Sequence, residues 1–146
     1  MAITVAGGVA AVLLVVTEFS TVASVDVASG SCEVTADTDP ALADRCELSG
    51  FERNGGAFLL LAALTLLMAW GAGVGGSRPA ALALVFVGVF ALGWALLVDL
   101  PVTDETGAIG LNFEGATARA GPGLTLEIVA GGLALAAGTV AFLSRQ

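Results

Sequence analysis

Residues 57–98 read AFLLLAALTLLMAWGAGVGGSRPAALALVFVGVFALGWALLV, and this stretch decides the fold. Two apolar runs, 57–74 and 79–98, are separated only by Gly75, Gly76, Ser77 and Arg78, and Arg78 is the single charged residue of the whole stretch. A hydrocarbon core of about 30 Å takes roughly 20 helical residues to cross, so each run is about one span long. Neither run alternates polar with apolar residues as a membrane barrel strand does, and lipid supplies no water to satisfy an open backbone, so both are expected to be helices. Pro79 suits the first position of the second helix, where its missing N–H costs nothing. The four-residue link makes the pair a tight antiparallel hairpin.

Working outward, residues 2–23 and 124–143 are two further apolar runs of span length. The expected fold is an all-α membrane protein: one integral domain of four transmembrane helices, 2–23, 57–74, 79–98 and 124–143, with outer loops 26–54 and 99–123. The first run is read as a retained span and not a cleaved leader, because Glu18 interrupts it and no basic residue precedes it. Composition agrees. Of the 146 residues 57% are hydrophobic and 12% charged, and the mean hydropathy is +0.95, which leaves too little polar surface to cover a soluble domain.

The net charge of -8 disfavours nucleic acid and a polybasic lipid-binding surface. The absence of histidine removes Ser-His-Asp and Cys-His nucleophiles, haem ligation by histidine and His-based metal sites. No cofactor or metal is expected, and the chain is not expected to be an enzyme.

Arg78 and Arg145 lie in very short segments on one side of the layout. The longer loops hold Arg45, Arg53 and Arg119, most of the acids and both cysteines. The inside rule weighs short loops most, so both termini and Arg78 are expected in the cytoplasm of a bacterial plasma membrane. In the first outer loop, Val25, Val27 and Val34 flank Ser29-Gly30-Ser31 as a hairpin would, Asp39-Pro40 can start a short helix reaching Cys46, and Ser49 with Glu52 has capping-box spacing. In the second, Ile109, Leu111 and Phe113 alternate as a strand. A small extracytoplasmic sheet built from both loops is expected. Cys32 and Cys46 enclose 13 residues, and in an oxidising compartment a disulfide across such a loop is worth about 3 kcal/mol.

Four helices with both termini inside, a long first outer loop carrying strand signals and a cysteine pair, and a second loop able to add a strand resemble the claudin and peripheral-myelin-protein tetraspan layout. The resemblance is one of topology. Where claudins carry a tryptophan-bearing run before the cysteines, this chain reads Phe19-Ser20-Thr21-Val22-Ala23-Ser24-Val25-Asp26-Val27, and its tryptophans, Trp70 and Trp94, fall in helices.

Within the spans, Glu18 is the most informative residue, because a carboxylate on a membrane helix is costly and marks a candidate site. It shares a face with Gly7, Ala11, Leu14 and Val15, and Glu127 shares one with Ala130, Ala134 and Gly138. Packing the first and last helices through these small-residue faces brings Glu18 and Glu127 together. With Asp99 they form either a proton or cation site or a set of structurally paired acids, Arg53 and Arg119 being the candidate partners. Gly71 and Gly75 match G-x-x-x-G and permit another close helix contact. Phe86, Phe90 and Trp94, four residues apart, read as packing or lipid contact. Asp37, Asp39, Asp44 and Glu47 lack calcium-loop spacing and read as a solvated acidic loop. The expected function is that of a small non-enzymatic membrane protein in contact with lipid. It would serve as an accessory subunit, scaffold or self-assembling component, as a homo-oligomer or in a larger membrane complex. The alternative is an oligomeric ion or proton channel or small transporter using the intramembrane carboxylates.

Overall fold

The computed structural model describes residues 1–27, 46–106 and 115–144. The expected hairpin turn around Gly30, the strand at Val34, the short helix after Asp39, the acids 37, 39 and 44, the strand at 109–113 and Arg145 lie outside the described residues.

Helix α1 (Ala2–Glu18) leads into strand β1 (Thr21–Asp26). Strand β2 (Glu47–Ser49) passes directly into the short helix α2 (Gly50–Asn54). Helices α3 (Ala57–Gly73) and α4 (Arg78–Trp94) form the expected hairpin. Beyond Trp94 the backbone widens into a π-helical turn, Ala95–Asp99, and closes with a last helical turn, Leu100–Val102. Strand β3 (Thr117–Ala120) and helix α5 (Pro122–Leu143) complete the chain. Among the described residues the molecule is thus mostly helical, with one small sheet. Two helical stretches, Arg78–Val102 and Pro122–Leu143, are long and apolar enough to cross a membrane, while α1 and α3 are apolar but shorter. At 1.5 Å per residue their 17 residues rise about 26 Å.

The first helix ends five residues before its expected end. After Glu18 the Ser20 hydroxyl and the Ser20 N–H fold back onto Val16 and Thr17 carbonyls, and Thr21-Val22-Ala23 leaves the helix to pair as a strand. β1 is the centre of an antiparallel sheet ordered β2-β1-β3, with Ser24 opposite both Glu47 and Arg119. The backbone hydrogen bonds and β-branched side chains of 21–27 are used by this sheet, which is why an apolar run that reads as helix in isolation turns extended here. The second loop does contribute a strand, at Thr117–Ala120. The capping box forms as spaced: Glu52 N–H donates to Ser49 Oγ, and Ser49 N–H donates to Glu52 Oε2 at 3.0 Å. The Ser49 N–H and the Ser49 hydroxyl, the latter at 2.7 Å, both donate to the Glu52 carboxylate and hold it below its ordinary range.

The four long helices pack in the cyclic order α1, α3, α4, α5, with α4 against α5 the most extensive contact and α3 against α4 the sparsest. The interior is built largely of alanine. Ala11, Leu14, Phe58, Ala62, Ala91 and Ala130 form one layer, and Ala10, Ala69, Leu84, Ala134 and Ala137 form the next. At the end holding the α3–α4 link, Ala72, Ala80, Ala81 and Ala141 close the stack. At the opposite end Val22 of the sheet seals it with Ala95 and Leu124.

The small-residue faces do not all act where the sequence suggested. Ala11 shares a core layer with Ala130, and Ala10 with Ala134, while the glycines serve other pairs. Gly7 abuts Ala69 of α3, and a Cβ at Gly138 would lie 2.7 Å from the Val85 nitrogen of α4. Gly71 faces Ala80 across the hairpin, whereas a Cβ at Gly75 would meet only the backbone of Gly71 in its own stretch. Val15 points outward, so Leu14 and Glu18 carry the inner face of α1.

Candidate functional site

The end of α1 is wedged between two backbone approaches. The Gly50 N–H donates to the Ser20 carbonyl and the Gly121 N–H to the Val22 carbonyl. A Cβ at Gly50 would stand 2.5 Å from the Thr17 carbonyl, and one at Gly121 would overlap that of Thr21. Glycine at both positions lets α2 and the start of α5 close on the α1–β1 corner. Glu18, the last residue of α1, is thereby driven inward beside Glu127, in the second turn of α5.

The third acid arrives through the π-helical turn. In an unbroken α-helix Val98, seven residues after Ala91, would return to the inner azimuth. The wider turn delays that return by one residue, so Ala91, Ala95 and Asp99 line the interior and Val98 is only half-buried. Such turns recur at functional sites. Glu18, Asp99 and Glu127 are all 0% exposed.

Their partners are few. Arg53 Nε lies 3.3 Å from Asp99 Oδ1, with one third of the Arg53 side chain still accessible, and Arg53 Nη2 donates to the Val98 carbonyl. Glu127 lies close enough to Asp99 for a carboxyl–carboxyl hydrogen bond and within electrostatic reach of Glu18. Two ionised carboxylates are both acceptors, so that contact becomes a hydrogen bond only when it holds a proton. The Glu18 carboxyl faces the Gly56 and Phe58 amides at the start of α3 without closing a hydrogen bond to either. Both oxygens of Glu18, both of Glu127, Asp99 Oδ2 and the Thr17 hydroxyl have no donor or acceptor. Of the three buried carboxyls only Asp99 pairs with a guanidinium. Among the described residues no three acidic or cysteine side chains converge as a metal-binding group.

The candidate partners separate. Arg53 pairs with Asp99. Arg119 is no partner of the buried acids: it pairs with Asp26 at 3.1 Å on the accessible sheet, because Ser24, not a core residue, stands opposite it in the ladder. Cys46 is buried beside Val27 in a small cluster under the sheet. No described cysteine is free, and Cys32 lies outside the described residues. Phe86 and Phe90 face outward, and the Phe90 ring lies tilted by 36° against Trp94 with ring centres 5.7 Å apart. A contact absent from the sequence reading joins Trp94 Nε1 to Asn54 Oδ1 at 3.0 Å. No local signal marks a pair 40 residues apart.

On the link side of the acids the described residues bury the Thr65 hydroxyl, which donates to the Leu61 carbonyl of its own helix, and the Thr4 hydroxyl, which lies against Gly73 without a hydrogen-bond partner. The carboxyl cluster is thus confined to the sheet end. The sequence matches no protein-family model, no curated protein and no solved structure.

Proposed function

We propose that this chain is a small, non-enzymatic integral membrane protein of four spans. Both termini and the α3–α4 link face the cytoplasm, and the sheet, braced by a Cys32–Cys46 disulfide, faces outward. It works as an accessory subunit, scaffold or self-assembling component in a tetraspan layout like that of claudins. One observation carries this reading: the four long helices are apolar on both sides, with their acids gathered at one end. Val12 of α1, Leu67 of α3, Phe86 of α4 and Val140 of α5 are all more than half exposed, an outer surface far more apolar than water tolerates on a monomer. Inside, the layers between the acids and the link are built mainly of alanine and hold no further buried charged side chain among the described residues. Native mass spectrometry of the protein in nanodiscs tests this. A stoichiometric partner or a defined homo-oligomer is expected, and a strict monomer without a partner would refute it.

A second reading, a proton or cation conductor, is favoured by the unpartnered carboxyls themselves, since intramembrane acids commonly serve ion paths. Liposome flux that disappears in Glu127→Gln would establish it over the first. The alanine layers argue for the first, because a path across needs polar groups deeper in the bundle.

A further inference from the structure

Helix α3 is closed at both ends. Gly55 and Gly56, at φ +60° and +87°, precede it, and Gly76, at φ +67°, follows it in the link; left-handed residues there stop the helical ladder from running on. Its 17 residues therefore rise about 26 Å, about 4 Å less than a typical hydrocarbon core. Charge bounds the same length, with Glu52 and Arg53 just before α3 and Arg78 just after it. At the sheet end these charges are tied down, Glu52 to Ser49 and Arg53 to Asp99 and the Val98 carbonyl, so neither reaches outward to lengthen the span. Helix α1, packed beside α3, has the same 17 residues and gives way to the sheet after Glu18. On the other side the apolar helical stretches of α4 with its extension and of α5 run to 25 and 22 residues. The bundle thus has a short side and a long side. The short side is apolar on its outer surface, where Val9 and Val12 of α1 and Leu60, Leu67 and Trp70 of α3 are exposed.

Length selects the surroundings of this side. A helix longer than the bilayer is thick can tilt, but tilting one that is already short lowers its reach further, so the bilayer must thin to meet it. We infer that the α1–α3 side sits in a locally thinned bilayer of about 26 Å hydrocarbon thickness, with shorter-chain phospholipids gathered along it in preference to longer ones. The inference rests on the membrane reading above.

The test reads lipid choice at Trp70, which is 63% exposed on α3. The full chain carrying Trp94→Phe, so that Trp70 is the sole tryptophan, is reconstituted in a brominated phosphatidylcholine mixed in turn with unbrominated phosphatidylcholines of about 22, 26, 30 and 34 Å hydrocarbon thickness. Relief of quenching as each displaces the brominated lipid gives its relative affinity. Affinity should be highest near about 26 Å and fall roughly two- to tenfold by about 34 Å. The thermal midpoint of the unsubstituted chain in bilayers of the same four lipids should peak at the same thickness, a readout independent of the substitution. A maximum at about 30 Å or above, or affinity indifferent to chain length, would overturn the proposal. So would Trp70 emission untouched by brominated lipid, which would seat a second copy over α3. If instead the chain stays folded and monodisperse without detergent or lipid, the membrane reading itself fails, a separate outcome.

Discussion

Replacing Glu127 by methionine should stabilise the protein. Glu127 is wholly buried, neither carboxyl oxygen has a donor, and its neighbours Asp99 and Glu18 are acids. Leaving one buried polar atom unsatisfied costs about 1–3 kcal/mol. Here there are two such atoms, and the nearby guanidinium of Arg53 pairs with Asp99 instead. Methionine keeps the unbranched shape, so no cavity offsets the gain, and apolar replacements of buried polar groups are often neutral or stabilising by about 1–4 kcal/mol. The expected gain is about 1–2 kcal/mol. Reversible unfolding in mixed micelles, followed by circular dichroism, reads it directly. Glu127→Gln serves as control: its amide can donate to Asp99 and should lie between wild type and methionine. A loss of about 1 kcal/mol or more in Glu127→Met would refute the reasoning, for it would mean the carboxyl has a favourable partner.

Arg53→Met should cost about 2–3 kcal/mol, below the full penalty for breaking a buried pair because the Arg53 side chain is one third accessible. Combined with Asp99→Leu it should cost much less than the sum of the single changes, in a double-mutant cycle; additive effects would dissolve the pair. Arg119→Ala, at the accessible sheet pair, should cost under about 1 kcal/mol in the same assay. Gly138→Ala puts a Cβ 2.7 Å from the Val85 nitrogen and 2.9 Å from the Ala81 carbonyl and should destabilise by about 1–3 kcal/mol. Gly132→Ala enters open space and should stabilise by up to about 1 kcal/mol. Equal effects at the two glycines would deny the close α4–α5 approach. Glu52 is held below its ordinary range by Ser49, so the capping box contributes above the unfolded pKa and is lost as pH falls through the lower folded value. Amide protection factors at Ser49 and Glu52, each taken against the intrinsic exchange rate at that pH, should fall on acidification below about pH 4, and Glu52→Gln should abolish that dependence.

Local sequence carried the parts of the fold that depend on local chemistry. Ser49 and Glu52 cap α2, Pro79 and Pro122 occupy first turns, and the link at 75–77 turns α3 into α4, each for a reason contained within a few residues. Three other features depend on partners distant in the chain. The end of α1 at Glu18 depends on strands at 47–49 and 117–120 that claim residues 21–26. The inward turn of Asp99 depends on a one-residue delay in the helix, which no side chain in Trp94-Ala95-Leu96-Leu97-Val98 announces. The choice of Arg53 over Arg119 depends on α2 standing beside the π-helical turn while β3, at the edge of the sheet, holds Arg119 against the accessible Asp26. The small-residue faces showed which sides of the helices turn inward, but they could not show that Gly7 would meet α3 and Gly138 would meet α4. Glycine permits close approach without naming the neighbour.

The central claim is that the helices form a membrane bundle whose carboxyls end at one side and lead nowhere. The most direct measurement is proton flux into liposomes carrying the purified protein under an imposed pH gradient, read by an entrapped pH dye. Flux equal to that of protein-free liposomes, unchanged in Glu18→Gln and Glu127→Gln, is the predicted result. Flux above that background that is lost in either variant would contradict it.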